Sequence, residues 1–239
     1  GTCADWWADE VTEAGGELTF TVHHPDGRFA AELPMIGTYN VANAMAAITA
    51  VAQLGVEVPA IRTGLASFPG VPGRMQVLRT APVRVILDFA HTPDSLRLAL
   101  TTLRQTTQRR LIVVLGSAGG PRDPSKRAPL GAVAATLADL AIYTEEDCRD
   151  TPIYDILNEM ARGAHEAGHD NILLIPDRLE AIRHALTHAE GGDTVVFCGK
   201  AGEITLERAT ETLPWIEEDV VRGVMAELGC RAGGAKCEA

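Results

Sequence analysis

Apolar and polar positions alternate over Leu18-Thr19-Phe20-Thr21-Val22 and again over Arg28-Phe29-Ala30-Ala31-Glu32-Leu33, with His24-Pro25-Asp26-Gly27 between them. A period of two around a turn-forming centre predicts a β-hairpin over 17–33. The spacing becomes helical from Asn40 to Leu54, in an Ala-rich stretch stopped by Gly55, and Pro59 at a first-turn position opens a second helix to Ala66. Phe68-Pro69-Gly70-Val71-Pro72-Gly73 holds two Pro and two Gly in six residues, which disfavours regular structure and predicts a hinge. Beyond it, apolar strands near 83–88, 111–115, 139–143, 172–175 and 194–198 alternate with helical stretches near 94–105, 126–137, 152–166 and 177–188. That alternation predicts an α/β architecture: a mostly parallel sheet with helices on both faces, preceded by a small α+β part. Ligands of such sheets bind at the carboxyl ends of the strands, where the loops gather. The Gly- and Ala-rich tail from Arg231 to Ala239 is expected to fray.

Composition narrows the class. With 239 residues, 46% of them hydrophobic, the chain can build a substantial core, and its longest apolar runs, such as Leu111 to Leu115, are far shorter than the roughly 20 residues of a membrane helix. No membrane span is expected. Gly1-Thr2-Cys3 carries neither a basic nor an apolar leader segment, and the chain is expected to start inside a larger protein. Five cysteines form no C-x-x-C pair, which argues against a disulfide framework or a structural zinc site and fits a reducing cytoplasm. The net charge of −11 disfavours nucleic acid as a partner, so an anionic ligand must meet a local basic cluster.

Several loops after predicted strands carry candidate chemistry. Val85 to Pro93 ends a strand on Asp88 and brings His91 beside a helix start; a carboxylate there can accept hydrogen bonds from ribose hydroxyls, or Asp88 and Thr92 can simply cap the helix. Gly116-Ser117-Ala118-Gly119-Gly120-Pro121-Arg122-Asp123-Pro124-Ser125-Lys126-Arg127 offers small residues for close approach together with Arg122, Lys126 and Arg127, or is a solvated basic turn. Neither this run nor Gly199-Lys200-Ala201 has the spacing of a P-loop. Thr144-Glu145-Glu146-Asp147-Cys148-Arg149 mixes acids with one Arg, as a site for a zwitterionic amino acid would, and Gly199 to Glu203 ends the last strand with another acid. Cys148 has no base paired with it and is read as a bystander; His165, His169, His184 and His188 are read as an exposed helical face and not as metal ligands.

In order along the chain, these segments resemble the Mur ligase family, most closely its tripeptide-forming branch. Gly37-Thr38-Tyr39-Asn40-Val41-Ala42-Asn43 resembles G-x-[FY]-N-x-x-N, Gly73-Arg74-Met75-Gln76 resembles G-R-M-E, and Asp88 to Pro93 resembles D-Y-A-H-T-P. Gly119 to Ala128 resembles G-G-D-R-D-x-x-K-R-P, Glu146 to Arg149 resembles D-N-P-R, Asp177 to Ile182 matches D-R-x-E-A-I, and Gly199 to Glu203 resembles G-K-G-H-E. The resemblance implies that residues 1–70 end a central ATPase domain and that 71–239 form a Rossmann-like carboxyl-terminal domain.

The chemistry it implies is ATP-dependent addition of a diamino acid, meso-diaminopimelate or else lysine or ornithine, to a UDP-N-acetylmuramoyl-L-Ala-D-Glu dipeptide in peptidoglycan synthesis. Asn40 and Asn43 would lie near adenine, Arg74 near the ATP phosphates, Asp88 on the ribose with His91 beside it, and Arg122, Asp147, Arg149, Gly199 and Glu203 around the incoming amino acid. ATP and a magnesium ion (Mg2+) are the implied cofactors. The family's P-loop, magnesium ligands, carbamylated Lys and uridine-binding domain have no counterpart in these residues, so no catalytic residue and no metal site is expected in the chain, and it should not turn over alone. Gln76, Pro121, the Glu146-Asp147-Cys148 run and Gly202 depart from the pattern, mostly in the amino-acid pocket. They admit a second expectation, a diverged non-catalytic module that binds a nucleotide, an amino acid or a partner ligase.

Overall fold

A computed structural model describes residues 5–233. The chain divides into two compact units between Val71 and Pro72, inside the segment rich in Pro and Gly. The tail beyond Gly233, with Cys237, and the amino-terminal Cys3 lie outside the described residues.

The first unit is a three-stranded antiparallel sheet in the order β1-β2-β3, with β1 Trp7–Ala14, β2 Glu17–His24 and β3 Gly27–Leu33, followed by helices α1 Asn40–Gln53 and α2 Val58–Ala66. The period of two in β2 and β3 puts Leu18, Phe20 and Val22 opposite Leu33, Ala31 and Phe29 on one face. Val41, Ala44 and Ile48 of α1 and Ile61 of α2 pack on that face and close the core. The sequence pattern did not reveal β1, because it is mostly exposed and irregular: Glu10 takes a positive φ of 52° where the register to β2 shifts.

The second unit is a six-stranded sheet in the order β4-β5-β9-β6-β7-β8. Its strands are β4 Gln76–Arg79, β5 Arg84–Asp88, β6 Leu111–Leu115, β7 Leu140–Tyr143, β8 Ile172–Leu174 and β9 Thr194–Cys198. All neighbouring pairs are parallel except β4 with β5. Between the parallel strands run α3 Pro93–Thr106, α4 Arg127–Leu137, α5 Ile153–Glu166 and α6 Arg178–His188; a small hairpin, β10 Thr205–Glu207 with β11 Thr212–Pro214, leads to α7 Glu217–Gly233. This is the α/β sandwich that the strand and helix alternation predicts.

Side chains alternate between the two sheet faces. Val85, Leu87, Ile112, Val114, Ile142, Val195 and Phe197 meet Ala181, Ile182 and Ala185 of α6 and Val221 and Val224 of α7. On the other face the Tyr143 hydroxyl donates to Gly131 O of α4 at 2.8 Å, and burial pushes its ionisation upward. α4 and α5 touch backbone to backbone, since a Cβ at Gly131 or Gly163 would collide with Met160 O or Ala128 O. The fully apolar central strands leave polar groups only at their ends and in the loops beyond them. At the carboxyl edge, the loops after β5, β6, β7 and β9 come together.

Candidate functional site

Asp88 ends β5 and is buried, with Oδ2 accepting Met75 N at 2.9 Å and Oδ1 accepting Ala90 N at 2.8 Å. Burial raises its carboxyl above the ordinary range, and the bonds from Met75 and Ala90 and the charge of Arg74 oppose the rise. Asp88 therefore clamps the Met75 segment, which holds a positive φ of 47°, onto the sheet edge. The helix cap belongs to Thr92, whose hydroxyl accepts Ser95 N while Ser95 Oγ accepts Thr92 N, with Pro93 in the first turn. His91 Nδ1 lies 2.9 Å from Phe89 O, Lys126 Nζ donates to His91 O at 3.1 Å, and the Arg74 guanidinium stands 4.4 Å from the Phe89 ring centre. Gln76, where the family pattern has an acid, accepts Gly73 N through Oε1 and donates through Nε2 to Glu218 of α7 at 2.9 Å. A carboxylate at position 76 would face the Glu218 carboxylate, so the amide suits this neighbour.

The loops after β6, β7 and β9 pack against one another. Gly116 runs against the 144–146 backbone; a Cβ there would stand 2.7 Å from Glu146 N. Glu146 is buried beside Gly199, and its Oε2 has no hydrogen-bond partner; a Cβ at Gly199 would come within 2.5 Å of that oxygen. Burial holds the Glu146 carboxyl above the usual range, against the pull of Lys126 and Arg178. Gly199 also has a φ of 94°, which glycine adopts without strain.

A chain of ion pairs joins β7, β9 and β10. Lys200 is wholly buried; its ammonium donates to Asp147 Oδ1 at 2.8 Å and to the Glu203 carboxylate. Arg149 lies against Glu207, Nε to Oε2 2.7 Å, and more loosely against Asp147 Oδ2 at 3.5 Å. Arg208 grips Glu145 through Nε at 2.9 Å and Nη2 at 2.6 Å, a pairing that raises its own ionisation further. Beneath them Arg178 donates to Glu145 O and Cys198 O, so one buried guanidinium fixes the carboxyl ends of β7 and β9. A groove of about 530 Å³ opens beside this set, lined among others by Cys148, Arg149, Pro152, Asp177, Arg208 and Glu211. Burial, then the Glu145 charge, pushes the Cys148 thiol up, which makes it a poor nucleophile at neutral pH.

Of the candidates named from sequence, Asp147, Arg149, Gly199 and Glu203 belong to this one connected set. Asp88 and His91 belong to the neighbouring loop after β5, and Arg74, just before β4, meets it on the Phe89 ring. Arg122 is exposed, and among the described residues it makes no hydrogen bond or ion pair. Asn40 and Asn43 lie on α1 of the first unit, where Asn40 donates to Ile36 O at 2.8 Å and accepts from Asn43 Nδ2 at 3.0 Å. On Arg149, Glu207 and Asp147 face Nε and Nη2. Sequence reasoning missed Glu207, Arg178 and the bridging role of Lys200. Lys200 left a signal as the cation of Gly199-Lys200-Ala201, in a loop otherwise aimed at ligands, and Arg178 as the second residue of the D-R-x-E-A-I segment. Among the described residues no three His, Cys, Asp or Glu side chains could jointly hold a metal ion. Nor, among them, is any helix long and apolar enough to cross a membrane.

The model of the Mur ligase, glutamate ligase domain family matches residues 73–201. Over 227 residues the chain is 61% identical to a UDP-N-acetylmuramyl-tripeptide synthetase of Deinococcus radiodurans, covering 94% of this chain and 46% of that protein. It is 40% identical to a UDP-N-acetylmuramoyl-L-alanyl-D-glutamate--2,6-diaminopimelate ligase of Streptomyces coelicolor, covering 92% of this chain and 44% of the relative. A solved structure of a ligase with that same diaminopimelate-ligase name superposes with a TM-score of 0.65 at 32% identity over 96% of this chain and 47% of the other. A UDP-N-acetylmuramate-alanine ligase from Thermotoga maritima shares the fold, with a TM-score of 0.69 at 18% identity over 98% of this chain and 47% of that one. The chain thus spans about half the length of the curated relatives it matches.

Proposed function

The chain belongs to the Mur ligase family, and from that premise we propose that it is the carboxyl-terminal, amino-acid-selecting part of an ATP-dependent ligase that joins a diamino acid to UDP-N-acetylmuramoyl-L-Ala-D-Glu. The observation that carries this reading is the convergence of Asp147, Arg149 and Glu203, joined through Lys200, in one ion-paired set beside Gly199 at the carboxyl edge of a parallel sheet. Relatives bearing the names of tripeptide synthetases and diaminopimelate ligases support it.

On this reading ATP phosphorylates the D-Glu side-chain carboxylate, the amine of the diamino acid attacks the resulting acyl phosphate, and phosphate leaves. The residues of this chain bind and orient. Arg74, free to move at the surface on the Phe89 ring, meets the ATP phosphates. Asp88 keeps lone pairs beyond its two backbone bonds and offers them to the ribose, with His91 beside it. Asp147 and Glu203 face the ammonium ends of the amino acid, Arg149 and Arg122 its carboxylates, and Gly199 keeps the approach open. The phosphoryl transfer itself needs a P-loop and magnesium ligands, which a further segment or partner would supply.

Calorimetric titration of the chain with meso-diaminopimelate, lysine and ornithine tests the amino-acid half of the reading. At least one should bind, and Arg149→Ala should weaken the binding of diaminopimelate, whose second carboxylate meets that guanidinium, roughly tenfold or more. Binding of none, or diaminopimelate binding indifferent to Arg149→Ala, would overturn the assignment.

A further inference from the structure

Glu207 is held over Arg149 by its own backbone. Glu207 N donates to Asp147 Oδ1 at 2.9 Å, Arg149 N donates to Glu207 O at 3.1 Å, and Arg149 and Arg208 form a parallel bridge. These bonds fasten β10 alongside the loop after β7, and they deliver the Glu207 carboxylate to Arg149 Nε at 2.7 Å. Nη2 faces Asp147 Oδ2 at 3.5 Å, while Nη1 donates to Gly119 O at 3.4 Å and Asp147 O at 3.3 Å. The Nε and Nη2 edge of a guanidinium is one on which a carboxylate docks with two parallel hydrogen bonds. On Arg149 that edge is already shared by two side-chain carboxylates.

The local balance of charge points the same way. Arg149 and Lys200 are two cations among three carboxylates, those of Asp147, Glu203 and Glu207. A ligand carboxylate arriving here must displace Glu207 and adds a further negative charge, whereas a ligand ammonium meets an existing excess of negative charge. Glu207 is 39% exposed and Arg149 24%, so the pair is open to a ligand and its exchange is a matter of competition, not of unfolding.

We propose that Glu207 is a specificity-determining residue, a tethered carboxylate that occupies the seat a substrate's second carboxylate needs on Arg149. It biases the site toward diamino acids whose far end is an ammonium alone, as in lysine or ornithine, and away from those whose far end carries an ammonium and a carboxylate, as in diaminopimelate. The inference rests on the reading that this loop holds the incoming amino acid.

The test is the ratio of dissociation constants for meso-diaminopimelate and lysine, measured calorimetrically on the whole chain, for the wild type and for Glu207→Gln and Glu207→Asp. Lysine binds the wild type more tightly; Glu207→Gln shifts the ratio toward diaminopimelate about tenfold, and Glu207→Asp, which keeps the charge, shifts it less. Because each ratio is internal to one variant, a general loss of affinity cancels. Binding that is sensitive to Arg149→Ala but has an unchanged ratio in Glu207→Gln, or a wild type that prefers diaminopimelate, overturns this inference and leaves the site intact. Diaminopimelate binding that ignores Arg149→Ala, or no binding of either amino acid, overturns the site reading and this inference together.

Discussion

Arg178 and Glu217 form a two-point ion pair closed off from water, with Nη2 2.7 Å from Oε1 and Nε 3.0 Å from Oε2. The pair ties the start of α7 to the start of α6, and the remaining guanidinium bonds reach the carbonyls that end β7 and β9. Burial acts to lower the Arg178 ionisation, but the Glu217 charge and hydrogen bonds hold it above its ordinary value. Trp215 Nε1 adds a bond to Glu217 Oε2 at 2.5 Å, so the acid is satisfied on both oxygens.

Arg178→Met removes one partner and leaves the Glu217 charge buried. The expected cost is about 3–5 kcal/mol in denaturant unfolding, because an uncompensated interior charge is far more expensive than a missing pair. Arg178→Met combined with Glu217→Met should recover much of that loss. A single substitution costing under about 1 kcal/mol would mean that the pair does not organise these strand ends.

Glu146→Gln tests the buried, unpartnered carboxyl. Its folded ionisation lies above the unfolded one, mainly through burial, so the unfolded chain gives up this proton at lower pH than the folded chain does. The stability contributed by the protonated side chain is full below the unfolded value of about 4.3 and is lost as pH rises through the higher folded value. Thermal melts of the two proteins should therefore show the variant gaining on the wild type as pH rises above about 4. A difference that stays constant, or a wild type that gains on the variant as pH rises, would contradict the burial argument.

Gly199→Ala should destabilise by about 1–3 kcal/mol, from both its positive φ and the collision with Glu146. In a Glu146→Ala background the collision is gone and only the backbone strain remains. A double-mutant cycle in urea should return a coupling of about 1 kcal/mol, whereas simple additivity would show that the two residues do not touch.

Asp88→Ala should free the Met75 amide, which now donates to the carboxylate, and hydrogen exchange at Met75 should accelerate while the amides of α3, capped by Thr92, keep their protection. Unchanged exchange at Met75 would leave Asp88 without its clamping role.

The central strands were legible because Leu111 to Leu115 and Thr194 to Cys198 are buried on both faces, and a continuous apolar run between turn residues has few other readings. β4 escaped because it is an edge strand with Val77 exposed and polar residues at both ends, and β10 and β11 because three residues carry no period. α7 escaped because Gly223 and Gly229 interrupt a weak apolar stripe, of which Val221 and Val224 reach the core. The loops at the strand ends were identifiable from position alone. Their internal pairing was not, since Glu207 meets Arg149, and Lys200 meets Asp147, only after β9 inserts between β5 and β6. Of the D-R-x-E-A-I segment, Asp177 caps α6 through Glu180 N and Arg178 turns inward, which explains the residue types physically once the fold is known.

The most direct test of the proposal that this chain selects the amino acid of a tripeptide-forming ligase is to complete it with the amino-terminal half of the Deinococcus radiodurans relative and measure phosphate release. The assay supplies ATP, UDP-N-acetylmuramoyl-L-Ala-D-Glu and, in turn, meso-diaminopimelate, lysine and ornithine. The account predicts release that depends on the diamino acid and is lost in Arg149→Ala, with none from the chain alone. A folded assembly that stays silent with every diamino acid, while the relative itself turns over, would contradict it.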